Sequence, residues 1–146
     1  MEDNMQNNNH VYIEMEAKSC NEAFARVCVA AFCTRLDPTL EEISDIKTAV
    51  SEAVTNAIVH GYKKNGGTVR MDCEIEDRDI TIIISDDGCG IEDINKAMEP
   101  LFTTASEDER SGMGFTFMEV FMDSLEVISE LGKGTKVIIK KRIEKK

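Results

Sequence analysis

Hydrophobic positions along the chain switch between two periods. Val11, Ile13 and Met15 alternate with Tyr12, Glu14 and Glu16, the spacing of a strand with one wet face. Ser19 and Glu22 have the spacing of a capping box. They predict a helix whose apolar face runs through Phe24, Val27, Cys28 and Ala31, extending to Phe32. Asp37-Pro38-Thr39 ends that segment, and Thr39 with Glu42 predicts a second capped helix reaching to about His60, with Gly61 as its stop. The core stripe of this helix is Ile43, Ile46, Val50, Ala53, Val54 and Ala57. At about 100° per residue, Asp45, Glu52 and Asn56 fall on its other side.

Beyond the loop 63–67 the period returns to two. Val69, Met71, Cys73 and Ile75 alternate with Arg70, Asp72 and Glu74, and a turn at 76–79 leads into the β-branched run 80–85, so the pair predicts a hairpin. Ile91 to Glu99 offers a short helix stopped by Pro100. The polar segment 105–111 has little to bury. Gly112-Met113-Gly114 then leads into an apolar helix ending near Met122, and 125–129 with 135–143 predicts a second hairpin around Gly132-Lys133-Gly134. About five strands paired by hairpins, with three or four helices between them, favour an α+β two-layer sandwich over a doubly wound parallel sheet. At 146 residues the chain suits one domain.

Composition narrows the function classes. The net charge of −11 disfavours a direct nucleic-acid surface or an anionic membrane as partner. No apolar run approaches the roughly 20 residues of a membrane span, and the Asn-rich start has no apolar stretch of the signal-peptide kind, so a cytoplasmic location is expected. Five cysteines without a C-x-x-C pair, and two histidines, suggest reduced thiols and no zinc or histidine metal centre.

Three places could carry chemistry. Asp86-Asp87-Gly88-Cys89-Gly90 closes the β-branched strand with a carboxylate that needs hydrogen-bond partners if it is buried. The glycines let another molecule approach the backbone, so the segment could seat a flat ligand bearing an amino group. On these five residues alone, a strand ending in an Asp-Gly turn is the simpler reading. Glu52 and Asn56, four apart, share a helical face: Asn56 could offer an oxygen to Mg²⁺ and Glu52 could accept a proton from a hydroxyl, or the pair could be a solvated face. Gly112-Met113-Gly114 at a helix start, after Arg110, could cradle an anion or simply enter the helix. The longer G-x-G-x-x-G pattern fails because Phe117 stands at its last position. The P-loop, the protein-kinase loops, the G-x-S-x-G elbow and the H-E-x-x-H zinc motif do not occur.

In order, Glu52-Ala53-Val54-Thr55-Asn56, Asp86 to Gly90, Arg110-Ser111-Gly112-Met113-Gly114-Phe115 and Gly134-Thr135 resemble the four ATP-site boxes of the GHKL superfamily. The strings from Ser51 to Tyr62 and Pro100-Leu101-Phe102-Thr103-Thr104 are similar to the anti-sigma-F branch of its small anti-sigma-factor serine kinases. The segment from Asn21 to Val27 is similar to the first helix of that branch, and the resemblance runs from Val11 to Ile143. It implies the Bergerat-type sandwich, with a mixed, mostly antiparallel sheet and the helices on one face. It also implies one domain over 1–146, flexible at 1–9, with 105–111 as a nucleotide lid.

By the same resemblance, ATP with Mg²⁺ contacts Asn56, Asp86, Gly88, Gly90, Thr103, Thr104, Arg110, Ser111, Gly112, Met113, Gly114, Phe115 and Thr135. Asn56 ligates the metal, Asp86 receives the adenine amino group, and Glu52 is the general base toward a protein serine. The implied partners are a sigma factor of the sigma-F type, an anti-anti-sigma factor as phosphorylation substrate, and a second copy in a homodimer. The first strand and helix, with Arg26, are the expected contact surface. A general-stress anti-sigma kinase, a histidine-kinase catalytic domain and a binding module that has lost its nucleotide are the alternatives.

Overall fold

The structure, a computed structural model, describes residues 8–94, 98 and 114–144. The alternating stretches form strands β1 (Asn9–Glu16), β2 (Thr68–Glu76), β3 (Asp79–Asp86), β4 (Ser124–Glu130) and β5 (Gly134–Arg142). They make one sheet in the order β1-β2-β3-β5-β4. All four pairings are antiparallel, whereas the resemblance implied a mixed sheet. Hairpins join β2 to β3 and β4 to β5, and the register sets Val11, Cys73, Ile82, Ile139 and Leu125 in one row across the sheet. Because strand side chains alternate between faces, the same register sends Met15, Val69, Met71, Ile75, Ile80, Ile84 and Val137 to the buried face. Glu14, Arg70, Ser85 and Lys136 line up on the opposite face.

Helices α1 (Cys20–Cys33), α2 (Leu40–Asn56) and α3 (Gly114–Phe121) complete the second layer. Helix α2 is central: it touches β3 and β5 and is flanked by α1 and α3. Its start is the predicted capping box. Thr39 Oγ1 accepts from Glu42 N at 3.0 Å, and Glu42 returns a carboxylate oxygen to Thr39 N at 2.8 Å. Ile46, Ala49, Val50, Ala53 and Val54 bury against the sheet, close to the predicted stripe.

Two readings of α1 need correcting. The Ser19 side chain makes no cap hydrogen bond, because Ser19 is itself helical in backbone (φ −54, ψ −35), while a capping residue sits in the extended region. Its expected partner Glu22 instead pairs with Arg26 one turn on, at 2.6 Å. The buried face is Ala25, Val29 and Cys33, with Cys28 and Phe32 half-buried against it. Phe24 and Val27 point to solvent, 52% and 66% exposed, and Ala31 is exposed as well. Apolar residues surround this helix on every side, so periodicity alone could not select the face that packs.

The end of α2 also differs from expectation. Regular α-helix stops at Asn56 and a π-helical turn follows over Ala57–Gly61, closed by Tyr62 N to Ala57 O at 2.9 Å. Gly61 does not take the left-handed conformation of a helix-stop glycine; its role lies in the site. All five cysteines are free thiols, and burial pushes those of Cys33 and Cys73 up to about 12, so both pack as neutral apolar groups. Of the short helix expected from Ile91 to Glu99, Ile91, Glu92 and Asp93 are not helical, and Met98 N bonds to Ile94 O at 3.0 Å; residues 95–97 and 99 lie outside the described residues.

Candidate functional site

Asp86 closes β3 opposite Val69 on β2 and Thr135 on β5. It is a charged residue that the fold buries, 7% exposed. Burial pushes its carboxyl above the usual range, and the N–H groups of Gly88 (2.8 Å to Oδ1) and Thr135 pull the other way by donating to the charged form. An ionised carboxylate offers about four acceptor positions, so two backbone donors leave capacity for a ligand N–H.

The π turn brings Gly61 against this carboxylate. A Cβ at Gly61 would stand 2.8 Å from Asp86 Oδ1, and one at Gly88 would overlap the Gly61 carbonyl. Gly90 has φ +77, and a Cβ there would overlap the Glu130 carbonyl. The segment after Asp86 therefore passes between the end of α2 and the β4–β5 turn with room for backbone alone. Cys89 N donates to Gly61 O (2.8 Å), and Gly132 N donates to Cys89 O (2.7 Å). Gly88 and Gly90 thus serve close approach within the chain itself, to the Gly61 and Glu130 carbonyls, where the sequence reading expected the approach of another molecule.

Gly61, Tyr62 and Ser129 also take part, and the sequence reading gave none of them a role at the site. The Tyr62 hydroxyl accepts from Asp87 N at 2.8 Å and donates to Thr68 O at 2.6 Å. The Ser129 hydroxyl accepts from Ile91 N at 2.7 Å and lies 2.8 Å from the Thr135 hydroxyl. Their partners are 25 and 38 residues away in sequence, so no local pattern announces them. Outside this ring, Arg70 grips Asp87 with two hydrogen bonds of 2.8 and 2.9 Å, which holds the Asp87 carboxyl below the usual range.

At the other end, Glu52 and Asn56 are half-buried beneath the start of α3 rather than on an open helical face. A Cβ on Gly114 would come within 3.1 Å of Asn56 Nδ2 and 3.2 Å of Glu52 Oε2. The fold thus brings together Glu52, Asn56 and Gly114, three of the residues expected there. Phe115 follows, partly buried against the core. Thr103, Thr104, Arg110, Ser111, Gly112 and Met113 lie outside the described residues. Arg26 sits on α1, in its pair with Glu22.

Helix α2 and its π turn carry both ends. Asn56 stands five positions before Gly61, about 7 Å along the helix axis, and Glu52 one turn farther. A buried carboxylate with acceptor capacity suits a ligand amino group, and a carboxylate–amide pair stands farther along the same helix. The amide oxygen of Asn56 is a hard donor of the kind Mg²⁺ prefers.

Comparison with known proteins agrees. Residues 15–141 match the family described as the histidine kinase-like ATPase domain. The anti-sigma F factor of Clostridium acetobutylicum is 61% identical over 134 residues, which is 92% of this chain and 94% of that protein. Those of Clostridium beijerinckii and Clostridium perfringens are 61% and 57% identical, over 92% of this chain and 94% and 97% of theirs. Among solved structures, the RsbU and RsbW domains of Rv1364c from Mycobacterium tuberculosis share the fold, with TM-score 0.66 at 18% identity over 92% of this chain and 32% of that longer one. The chain belongs to the anti-sigma F factors, built on the histidine kinase-like ATPase domain.

Proposed function

We infer that this protein inhibits a sigma factor of the sigma-F type and uses ATP with Mg²⁺ to phosphorylate a serine of its anti-anti-sigma factor, acting in the cytoplasm as a homodimer. The observation that carries the reading is Asp86: a buried carboxylate, backbone-bonded yet with acceptor capacity left, at the end of the helix that also bears Glu52 and Asn56. The curated relatives' shared name supports the sigma-factor half, and the ATPase family supports the nucleotide half.

In this reading Asp86 accepts the hydrogens of the base amino group, and the missing side chain of Gly61 leaves room for that carboxylate. Asn56 holds Mg²⁺, which when bound offsets phosphate charge, a need sharpened by the protein's own −11. Glu52 takes the proton of the incoming serine hydroxyl as that oxygen attacks the terminal phosphorus and ADP leaves. Phe24 and Val27 on α1, both exposed, give the expected partner surface an apolar component beside Arg26. No helix among the described residues is long and apolar enough to cross a membrane.

The test pairs two assays on the intact chain. Incubation with γ-labelled ATP and an anti-anti-sigma protein should leave acid-stable phosphate on serine; label lost in acid would mark phosphohistidine and overturn the kinase assignment. A sigma-F-type factor should be retained more strongly with ATP than with ADP. Equal or absent retention would overturn the nucleotide-dependent inhibition.

A further inference from the structure

We propose that the hydroxyls of Tyr62 and Ser129 are positioning residues that fix the segment 87–91 at both ends, so that Asp86 and Thr135 present hydrogen-bond acceptors to the base amino group before nucleotide arrives. The proposal rests on the reading of Asp86 given above and adds to it the groups that set the pocket's polarity.

The backbone of this segment is held at every second residue. Asp87 N goes to Tyr62 Oη, Cys89 N to Gly61 O and Ile91 N to Ser129 Oγ, at 2.8, 2.8 and 2.7 Å. Gly88 N, between the first two, goes to the Asp86 carboxylate itself. Two of the three outer anchors are side-chain hydroxyls from distant elements, and each is fixed by a further bond. Tyr62 gives its proton to Thr68 O at 2.6 Å, and its ring lies over Gly67, where a Cβ would come within 2.5 Å of a ring carbon.

Ser129 does more than hold the chain. A hydroxyl has one proton and two lone pairs. Ser129 gives its proton to Gly134 O at 3.0 Å and accepts from Ile91 N. The 2.8 Å contact with Thr135 is then made with the Thr135 proton. With that proton committed, Thr135 Oγ1 can only accept from a ligand. Asp86 and Thr135, opposite each other across β3 and β5, then form an acceptor pair that favours a base carrying an exocyclic amino group over one carrying a carbonyl. Groups ordered in advance spare the ligand the cost of ordering them, so loosening either clamp should weaken base recognition and leave the Glu52–Asn56 end untouched.

The experiment uses the full chain with Tyr62→Phe, Ser129→Ala and their double variant, and Gly67→Ala as a second route that displaces the Tyr62 ring without deleting a polar group. ATP and inosine triphosphate, which lacks the amino group, are compared by calorimetry, and KM and kcat for ATP by phosphorylation assay. Each single variant should raise the ATP Kd and KM about tenfold, with kcat within about twofold and the preference for ATP over inosine triphosphate reduced in proportion. Ser129→Thr, which keeps a hydroxyl, should restore the preference. A merely structural role would lower the active fraction, seen as reduced kcat with KM and base preference unchanged, and would overturn the proposal. Wild-type protein that binds both nucleotides equally would instead overturn the reading of Asp86, and calorimetry reports that outcome independently of any kinase activity.

Discussion

Asp86 is held by amides from two segments and hemmed in by a third, whereas Glu52 and Asn56 owe their relative placement to four residues of a single helix. The base end is a tertiary construction: β3, β5, the π turn and the β4–β5 turn must all be in place before the carboxylate has its surroundings. The Glu52–Asn56 end, proposed as catalytic, is almost local, needing only α2 and the glycine that opens α3 above it. The difference predicts opposite kinetic signatures: damage at the base end should appear in nucleotide affinity, and damage at the catalytic end in turnover.

The largest effect expected is at Glu52. Glu52→Gln keeps the shape and removes the proposed base, so phosphoryl transfer should fall about 10²- to 10⁴-fold while the ATP Kd, measured by calorimetry, stays within about twofold. Loss of binding with an intact fold would erase the separation of the two ends. Next is Gly61→Ala, which sets a methyl 2.8 Å from Asp86 Oδ1. The carboxylate must move off its backbone donors, and ATP affinity should drop about a hundredfold, as expected for losing charge-assisted hydrogen bonds. Gly114→Ala is the matching change at the other end. Its Cβ meets Asn56 and Glu52 at 3.1–3.3 Å, tight contacts with movable side chains, and a displacement of that order should cost about tenfold or more in kcat with little change in Kd.

Acidity sharpens the same contrast. Burial raises the Asp86 pKa above its unfolded value, so the native state binds this proton more tightly than the unfolded chain does. Stability from this group is therefore greatest below the ordinary aspartate value of about 3.9 and is lost as pH rises through the raised value. Nucleotide binding has the opposite sign, since the acceptor must be ionised. Denaturant titrations of ligand-free protein from pH 3 to 7 should show the loss in the wild type and not in Asp86→Asn. Identical slopes would mean that the carboxylate is not held in a desolvated site.

How much of this was legible in the sequence follows from the same division. The capped start of α2, the i,i+4 pair and both hairpins are short-range patterns, and the structure contains them. The face of α1 was misread because its apolar residues surround the helix, and only the approach of α2 selects Ala25, Val29 and Cys33. Ser19 has the composition of a cap without the backbone angles of one. Gly61 looked like a helix stop, whereas its missing side chain matters because Asp86 stands where a Cβ would be. A residue needed for what it lacks, or for a partner tens of positions away, leaves no local trace.

The smallest effect expected concerns Arg70, and it asks what holds the base end. Arg70 makes a bidentate pair with Asp87, the residue next to the buried carboxylate, so removing it could be thought to free the whole segment. The pair, however, grips the Asp87 side chain, which is 65% exposed on the outer face of the sheet. The Asp87 backbone is held separately, by the Tyr62 hydroxyl. Exposed ion pairs contribute about 0–1 kcal/mol, and Asp87 keeps its amide bond without its salt bridge. Arg70→Gln should therefore change the ATP Kd by less than about fivefold, well short of Tyr62→Phe. Equal losses from the two variants, measured side by side by calorimetry, would show that the backbone is held through the side chain, and the base end would then extend across the sheet to its outer face.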